Sequence, residues 1–372
     1  MEVVAGFLAA VILVLSPFSR GRGFQVECVG EPGCDRITGV ADILEQNSQV
    51  NLLIVHGMGA DKDTDYEPFT REIASHLNLY LRHSSDELVP APSPAPAPAQ
   101  IFTRIYVSAD GSRSLNVYEL HWWHLIQYSK SRLLADERHY PGRRARVNRE
   151  LKSDLINERL ADPIIYLGPL REPILWVVTA ALCTAAGGEQ SPEGCSATRP
   201  DVPTVIVTES LGSDIVFRAL KAHGDLLATY RASTPQIFML ANQLPLLGLA
   251  NEEEELLAPL KTFTEPGYVA EGFVAEGYVE QGIEPQIVAV SDPSDLLSYP
   301  LPESVVEEGW RFVNVLRPFG RRLLAGLVVE PIGAHTGAIR DQQIREMIAC
   351  GRPSRCRTSP TPTARRGPFP AR

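Results

Sequence analysis

Residues 202–220 (VPTVIVTESLGSDIVFRAL) constrain the fold of this chain more than any other segment does. The β-branched run 205–207 stops at a short polar turn around Ser210, and apolar residues then recur at Leu211 and Ile215 with a helical spacing. A short apolar run followed by a period near 3.6 predicts a buried strand, a sharp turn and a helix. A serine on such a turn stands clear of the sheet, and the first N–H groups of the helix lie close to its hydroxyl.

A second strand signal lies upstream of this turn. Residues 50–55 (VNLLIV) are largely apolar, as expected for a strand that is buried on both faces. They lead into His56, Gly57, Met58 and Gly59, where the glycines allow the backbone to approach a neighbour closely. We therefore expect this loop to present backbone amides beside Ser210. The alternative is an ordinary turn that ends the strand.

Two aspartates follow a third strand signal. Residues 286–290 (QIVAV) predict a strand, and Asp292 and Asp295 lie in the loop after it. Asp292 precedes a proline, which favours an extended conformation close to the strand end, whereas Asp295 lies further out, where its side chain can turn back to a histidine. Asp295 is the first choice for a carboxylate that orients a histidine, and Asp292 is the alternative. Both can also be interpreted as turn and helix-capping residues.

A histidine follows near the end of the chain. Residues 325–329 predict a strand, His335 follows in a loop, and residues 339–349 predict a terminal helix. A histidine in a loop after the last strand can reach a serine above the sheet edge and take its proton. A lone histidine more often has a structural role, but this one follows both the serine and the aspartates along the chain.

The HGMG, TESLGS, SDPSDLLSYP and AHTG segments resemble the α/β-hydrolase superfamily, in particular bacterial serine hydrolases with a TESLGS-type nucleophile elbow. The resemblance spans about residues 50–348. It implies an α/β fold with a mainly parallel sheet flanked by helices and carrying insertions. It also implies a triad and a backbone oxyanion hole. The residues that it assigns are Ser210 as nucleophile, Asp295 as acid, His335 as base, Met58 and Leu211 as oxyanion donors, and His56, Gly57, Gly59 and Gly212 in supporting positions.

The order of serine, acid and histidine in this superfamily argues against the competing histidines. His121 and His124 precede the elbow serine, and His223 falls on the helix after it. Two residues depart from the usual G-x-S-x-G pattern: Thr208 replaces the first glycine, and Glu209 adds a carboxylate beside the nucleophile. A Glu209 that points into the site would disfavour anionic substrates, but the preferred interpretation is a solvated turn residue.

The expected function is a serine ester hydrolase of the carboxylesterase or lipase type, acting on a small-molecule or lipid ester. Two alternatives stay open: an acyltransferase on the same triad, and a non-catalytic, envelope-anchored binding protein. A net charge of −10 argues against nucleic acid or an anionic membrane surface as the main partner. Zinc, P-loop and dinucleotide-binding signatures are absent from the sequence, so we expect no metal and no cofactor.

The N-terminus and the cysteines bear on localisation. Residues 3–18 are apolar; sixteen residues are short for a spanning helix of about 20, but they suit a signal peptide. Residues 1–23 are thus expected to be a signal peptide or an N-terminal membrane anchor, although the arginines after the run would keep the body in the cytoplasm by the positive-inside rule. Close cysteine pairs favour disulfides, hence a periplasmic or extracellular protein, over six reduced thiols. These pairs are Cys28 with Cys34, Cys183 with Cys195, and Cys350 with Cys356.

The remaining segments predict one hydrolase domain over residues 24–350, followed by a disordered tail over 351–372. The domain contains an insertion at 250–284, with an acidic run and three similar pentapeptides (267–281), which would either form a lid or have no function. Other expected features are a Pro/Ala linker (89–99), a hairpin (101–109 with 115–120), a helical segment (132–160), an apolar core or lid helix (173–186) and a strand (236–241).

Overall fold

The computed structural model describes residues 24–30, 36–60, 64–133, 142–191, 194–196, 202–250, 257–265, 283–307, 309–323 and 327–351. These residues form a mixed α/β fold around one nine-stranded sheet. Its strands are β1 (Gln25–Cys28), β2 (Gln49–Val55), β3 (Leu79–Val89), β4 (Ala99–Ser108), β5 (Ser114–His121), β6 (Thr204–Glu209), β7 (Gln236–Leu240), β8 (Gln286–Ser291) and β9 (Arg311–Leu316). Their spatial order is β1-β9-β8-β7-β6-β2-β5-β4-β3.

From β9 to β5 in this order, each strand runs parallel to its neighbours. At the sides of the sheet, β1 is antiparallel to β9, β4 is antiparallel to β5, and β3 is antiparallel to β4. Parallel neighbours need crossover connections, which here contain helices on both faces of the sheet. The predicted mainly parallel sheet flanked by helices is therefore confirmed. The helices are α1 (Val40–Leu44), α2 (Glu67–His76), α3 (His124–Ser131), α4 (Arg146–Glu150), α5 (Ala161–Tyr166), α6 (Arg171–Ala185), α7 (Gly212–Ala222), α8 (Gly224–Ser233), α9 (Leu244–Gly248), α10 (Ala258–Thr264), α11 (Pro331–Thr336) and α12 (Gln342–Cys350). A π-helix, Leu151–Leu160, continues α4, and Glu303–Val305 and Ala338–Arg340 are 3-10 turns.

The sheet buries both of its faces. In β2, Leu53 and Val55 pack into one apolar cluster, whereas Leu52 and Ile54 pack into another, because successive side chains of a strand point to opposite faces. Helices α6 and α7 cover the first face, and α1, α2 and α12 cover the second. Burial on both faces explains why β2 is a nearly continuous apolar run in the sequence.

The edge strand β3 has no counterpart in the sequence analysis. It is exposed between its two buried end residues, Leu79 and Val89, because it forms one edge of the sheet. Its polar residues shield the free edge but give no clear strand pattern. The proline-rich segment at 89–99 is the connection between β3 and β4, and the two ends of this segment, Val89 and Ala99, pair with each other.

The strand expected at 325–329 is described only in part, as Val328–Val329, and this part does not belong to the large sheet. Among the described residues, this segment pairs with Arg322–Leu323 in a small two-stranded ribbon, and the last strand of the large sheet is β9. An apolar run predicts an extended conformation but not its pairing partner, and Val328 is exposed here rather than buried. As a result, His335 lies on the short helix α11 and not in a loop after a sheet strand.

Helix α6 belongs to the core, since Ile174, Val177 and Leu182 are fully buried. Within the described ranges, no single helix has the length and apolar composition of a membrane span. The segments Arg146–Tyr166 and Arg171–Ala185 meet these requirements only as a pair, across a bend of 87°. The predicted signal peptide, acidic run, pentapeptides and C-terminal tail after residue 351 lie outside the described residues.

One predicted disulfide is present within the described residues. Cys183 near the end of α6 bonds to Cys195 in a short ribbon, Gln190–Ser191 with Gly194–Cys195. Cys28 and Cys350 are also disulfide-bonded. Their predicted partners lie outside the described residues.

We expect the double substitution Cys183→Ala and Cys195→Ala to lower the free energy of unfolding by about 3 kcal/mol, because a cross-link across a short loop restricts the unfolded chain. The two cysteines are 12 positions apart. Denaturant titration followed by circular dichroism measures the change, and the wild type with reductant serves as a second comparison. An unchanged midpoint would contradict the stabilising role.

Candidate active site

Ser210 occupies a sharp turn between β6 and α7. Its φ angle is +53°, in the left-handed region that few residues other than glycine adopt. The Ser210 N–H donates to the carbonyl of Leu240 at the end of β7 (2.7 Å), which fixes the turn to the neighbouring strand. Leu211 caps α7, which begins at Gly212. The serine side chain therefore lies at the positive N-terminal end of a helix.

The structure brings the predicted serine, histidine and aspartate into one hydrogen-bonded series. The Ser210 hydroxyl and His335 Nε2 are 2.7 Å apart, and His335 Nδ1 lies 2.8 Å from Asp295 Oδ2. Side-chain exposure is 3 % for the histidine and 1 % for the aspartate. Burial opposes ionisation of Asp295, but its hydrogen bond with His335 and the charge of that ring hold its pKa below the usual value. An ionised Asp295 accepts the Nδ1 proton, which leaves Nε2 free to accept the serine proton.

The alternative aspartate, Asp292, has a different environment. Its carboxylate accepts the backbone N–H groups of Ser294, Phe319 and Gly320 at 2.6 to 2.8 Å. It thus fixes the loop after β9 to the loop after β8. The sequence allowed either Asp292 or Asp295 to be the partner of His335, and in the structure Asp295 is the one that binds it.

The loop after β2 and the turn after β6 are in direct backbone contact. A Cβ atom at Gly57 would lie 2.5 Å from the Ser210 Cβ and would collide with the Glu209 carbonyl. A Cβ atom at Gly212 would lie 2.5 Å from the Val55 carbonyl oxygen. Real side chains do not tolerate such distances, so both glycines are required for this contact.

The His56 ring holds the peptide between Gly57 and Met58. The Trp122 N–H donates to His56 Nε2 (3.0 Å), so the ring proton lies on Nδ1, which donates to the Gly57 carbonyl (2.8 Å). Burial, together with the neighbouring His121, lowers the pKa of His56 to about 3. The ring therefore stays neutral at physiological pH and keeps both hydrogen bonds.

The two predicted oxyanion amides belong to Met58, in the loop that touches the turn, and to Leu211, which follows Ser210 in the chain. Neither the Met58 nor the Leu211 N–H donates to another residue in the described part of the chain. The next amide in the loop, that of Gly59, donates to Asp162 Oδ2 (2.7 Å). Within this loop the Gly59 N–H is thus engaged by a carboxylate, whereas the Met58 N–H is not.

Glu209 is not the solvated turn residue that the sequence analysis preferred. It is half-buried, it lines a cavity, and its carboxylate accepts the Tyr66 hydroxyl (2.6 Å). Burial raises the pKa of Glu209, against the opposing effects of the Tyr66 hydrogen bond and of the His335 and Arg340 charges. The position before Ser210 therefore carries a carboxylate that faces the cavity.

The cavity lies beside the series and has a volume of about 470 Å³. Its lining includes Gly57 and the chain neighbours of the serine and histidine, Glu209 and Thr336. Ser210 and His335 are 1 % and 3 % exposed, so both residues are almost fully shielded from solvent. Its charged residues are Asp65, Arg159, Glu209, Arg340 and Arg345.

Several residues of the site had no signal in the sequence. Tyr66 precedes α2, Arg159 lies on the π-helix, and Asp162 lies on α5. None belongs to a motif: Tyr66 contacts Glu209, and the π-helix and α5 bring Arg159 and Asp162 to the loop after β2. Thr208, the residue that replaces the usual glycine, is fully buried, and its hydroxyl lies 2.7 Å from that of Ser213.

No family model, curated protein or solved structure matches the chain. Among the residues that the structure describes, no group of three or more His, Cys, Asp or Glu side chains is arranged to hold a metal ion. The chemistry of the site therefore has to be inferred from its own geometry.

We expect Gly57→Ala to lower the free energy of unfolding by about 1–3 kcal/mol, because the added methyl group overlaps the turn that carries Ser210. Gly224→Ala is the matched control, since a Cβ atom there meets open space. Thermal and denaturant unfolding of both variants measure the difference. Equal stability of the two variants would show that the close contact is not required.

Proposed function

We propose that this protein is a serine ester hydrolase with an α/β-hydrolase fold. The single observation that carries the proposal is the series Ser210–His335–Asp295, with contacts of 2.7 and 2.8 Å. The serine and aspartate follow parallel strands at their carboxyl ends, where α/β proteins place their functional residues. The chain order of serine, aspartate and histidine, with β6 next to β2, further supports this fold assignment.

In the proposed reaction, His335 Nε2 accepts the hydroxyl proton as Ser210 Oγ attacks the ester carbonyl carbon. The carbonyl oxygen becomes an oxyanion, which the Met58 and Leu211 amides stabilise. The C–O bond of the ester then breaks, and the alcohol leaves with the proton from His335. Water, deprotonated by His335, attacks the acyl-serine and releases the acid, and Ser210 regains its proton.

The cavity lining supports a polar ester as the substrate. Two carboxylates and three guanidinium groups face this space, and burying a long acyl chain against them would leave charges without solvent. Arg345 is paired with Glu72, whereas Arg159 Nε is buried without a hydrogen-bond partner among the described residues. An acyltransferase would use the same triad and differ in the acceptor, an alcohol instead of water.

We further propose that the protein is exported. The disulfide Cys183–Cys195 supports an oxidising compartment, because structural disulfides are rare in the cytosol. Fractionation of cells that express the full chain tests this localisation.

A fluorophosphonate probe is expected to label the wild type and not Ser210→Ala, because such probes react with an activated serine. Ser213→Ala is the control: Ser213 is equally buried and lies three residues away, but it contacts Thr208 instead of a histidine. Mass spectrometry identifies the labelled peptide. Labelling that persists in Ser210→Ala would exclude this nucleophile, and an inert wild type would favour a non-catalytic protein.

For a small ester such as 4-nitrophenyl acetate, Asp295→Asn is expected to lower kcat by a factor on the order of 10³–10⁴, because the amide no longer favours the correct histidine tautomer. Asp292→Asn, which also alters a buried aspartate, is expected to affect mainly stability. Steady-state kinetics with thermal melting separates the two effects. A larger loss of kcat in the Asp292 variant would reverse the assignment of the acid.

A further inference from the structure

A buried carboxylate outside the triad binds the loop that carries Met58. Asp162 on α5 is 1 % exposed, and its Oδ2 atom accepts the Gly59 N–H at 2.7 Å. Lys130 Nζ on α3 lies 3.1 Å from the Oδ1 atom, and Lys130 also donates to the Glu158 carbonyl. The loop after β2 is thus linked to two helices and to the π-helix.

This contact lies on one side of Met58, and a second restraint lies on the other side. His56 Nδ1 holds the carbonyl of Gly57, which belongs to the same peptide group as the Met58 N–H. Asp162 holds the N–H of the following peptide. Gly59 has φ +79°, a conformation that glycine adopts without steric cost and that most other residues avoid. The direction of the Met58 N–H therefore depends on both contacts.

We propose that Asp162 is a positioning residue, which holds the 57–59 loop so that the Met58 amide faces the developing oxyanion. This inference rests on the proposed function. Asp162 does not touch the reacting atoms, so its effect passes through the loop. Oxyanion donors act mainly in the transition state, and a loop that is released should therefore lower kcat with little effect on KM.

The charge of Asp162 matters to this contact because the charge-assisted hydrogen bond is the stronger one. The charged groups that act on it are Lys130 from α3, which favours ionisation, and Glu158 from the π-helix, which opposes it; the loop contributes only the Gly59 N–H. Burial outweighs the favourable contacts and raises the pKa of Asp162 to about 6. Below this pH the protonated carboxyl holds the loop less well.

The test compares Asp162→Ala and Asp162→Asn with the wild-type full chain, using 4-nitrophenyl acetate. Asp162→Ala removes the acceptor, so we expect kcat to fall about 10- to 100-fold, at or below the loss of a complete oxyanion donor. KM should change less than about threefold. Asp162→Asn keeps an acceptor without the charge, so its kcat should lie between that of Asp162→Ala and that of the wild type. Its kcat should also fall less steeply than that of the wild type below about pH 6, where Asp162 titrates in the wild type.

Asp42→Asn is the matched control. Asp42 is also a buried aspartate, 3 % exposed, that accepts a glycine N–H (Gly39, 2.9 Å) and pairs with a cation (Arg36, 3.0 Å). It lies at the opposite end of the sheet, since the neighbouring Thr38 N–H binds Gln286 at the start of β8. This variant should lose stability but keep the wild-type kcat and pH profile.

The outcomes separate this inference from the proposed function. A wild type that neither hydrolyses the ester nor reacts with the fluorophosphonate overturns both. The positioning role alone is overturned if the wild type is active and Asp162→Ala keeps the wild-type kcat. It is also overturned if Asp42→Asn, at equal stability, loses as much kcat as Asp162→Ala does. If the wild type reacts with the probe but does not hydrolyse the ester, the labelling rate replaces kcat as the measured quantity, with the same expected order of variants.

Discussion

The site depends on one close approach of two backbone segments. The loop after β2 and the turn after β6 belong to adjacent parallel strands, and Gly57 and Gly212 allow them to touch without side chains between them. Because of this contact, the loop that carries the Met58 amide lies against the turn that carries Ser210 and Leu211. The strained φ angle of Ser210 is held by the hydrogen bond to Leu240, so the sheet itself fixes the serine.

Buried polar side chains then hold the loops that surround this backbone contact. His56 stays neutral because its burial strongly disfavours the charged ring, and the neutral tautomer gives both of its nitrogens a hydrogen-bond partner. Asp162 and Asp292 hold loop amides, and only Asp295 meets the histidine. The same residue type thus has separate roles, which follow from whether backbone N–H groups or an imidazole ring face the carboxylate. In the proposed reaction, preorganisation of this kind would keep the amide donors oriented before charge develops.

The sequence predicted the parallel strands better than the edges and the end of the sheet. Strands β2, β6, β7 and β8 are buried on both faces, so their apolar runs are nearly continuous and carry a strong signal. The edge strand β3 is solvent-exposed, and β9 contains Asn314, whose side chain binds the backbone of Leu301, so neither has a simple pattern. The apolar run at 325–329 was assigned to the sheet instead, because hydrophobicity does not specify a pairing partner.

The amino-acid sequence is enough to predict the turn that carries Ser210, the glycines beside it and the candidate serine, aspartate and histidine. Each of these depends on local backbone geometry or on order along the chain. Three features follow from the packing of the whole chain instead: Asp295 is the aspartate that meets His335, Glu209 faces the cavity with Tyr66, and Asp162 binds the loop after β2. These contacts join residues far apart in the chain, such as Glu209 and Tyr66 or Gly59 and Asp162. Their formation depends on how the helices pack on the sheet, which no short segment encodes.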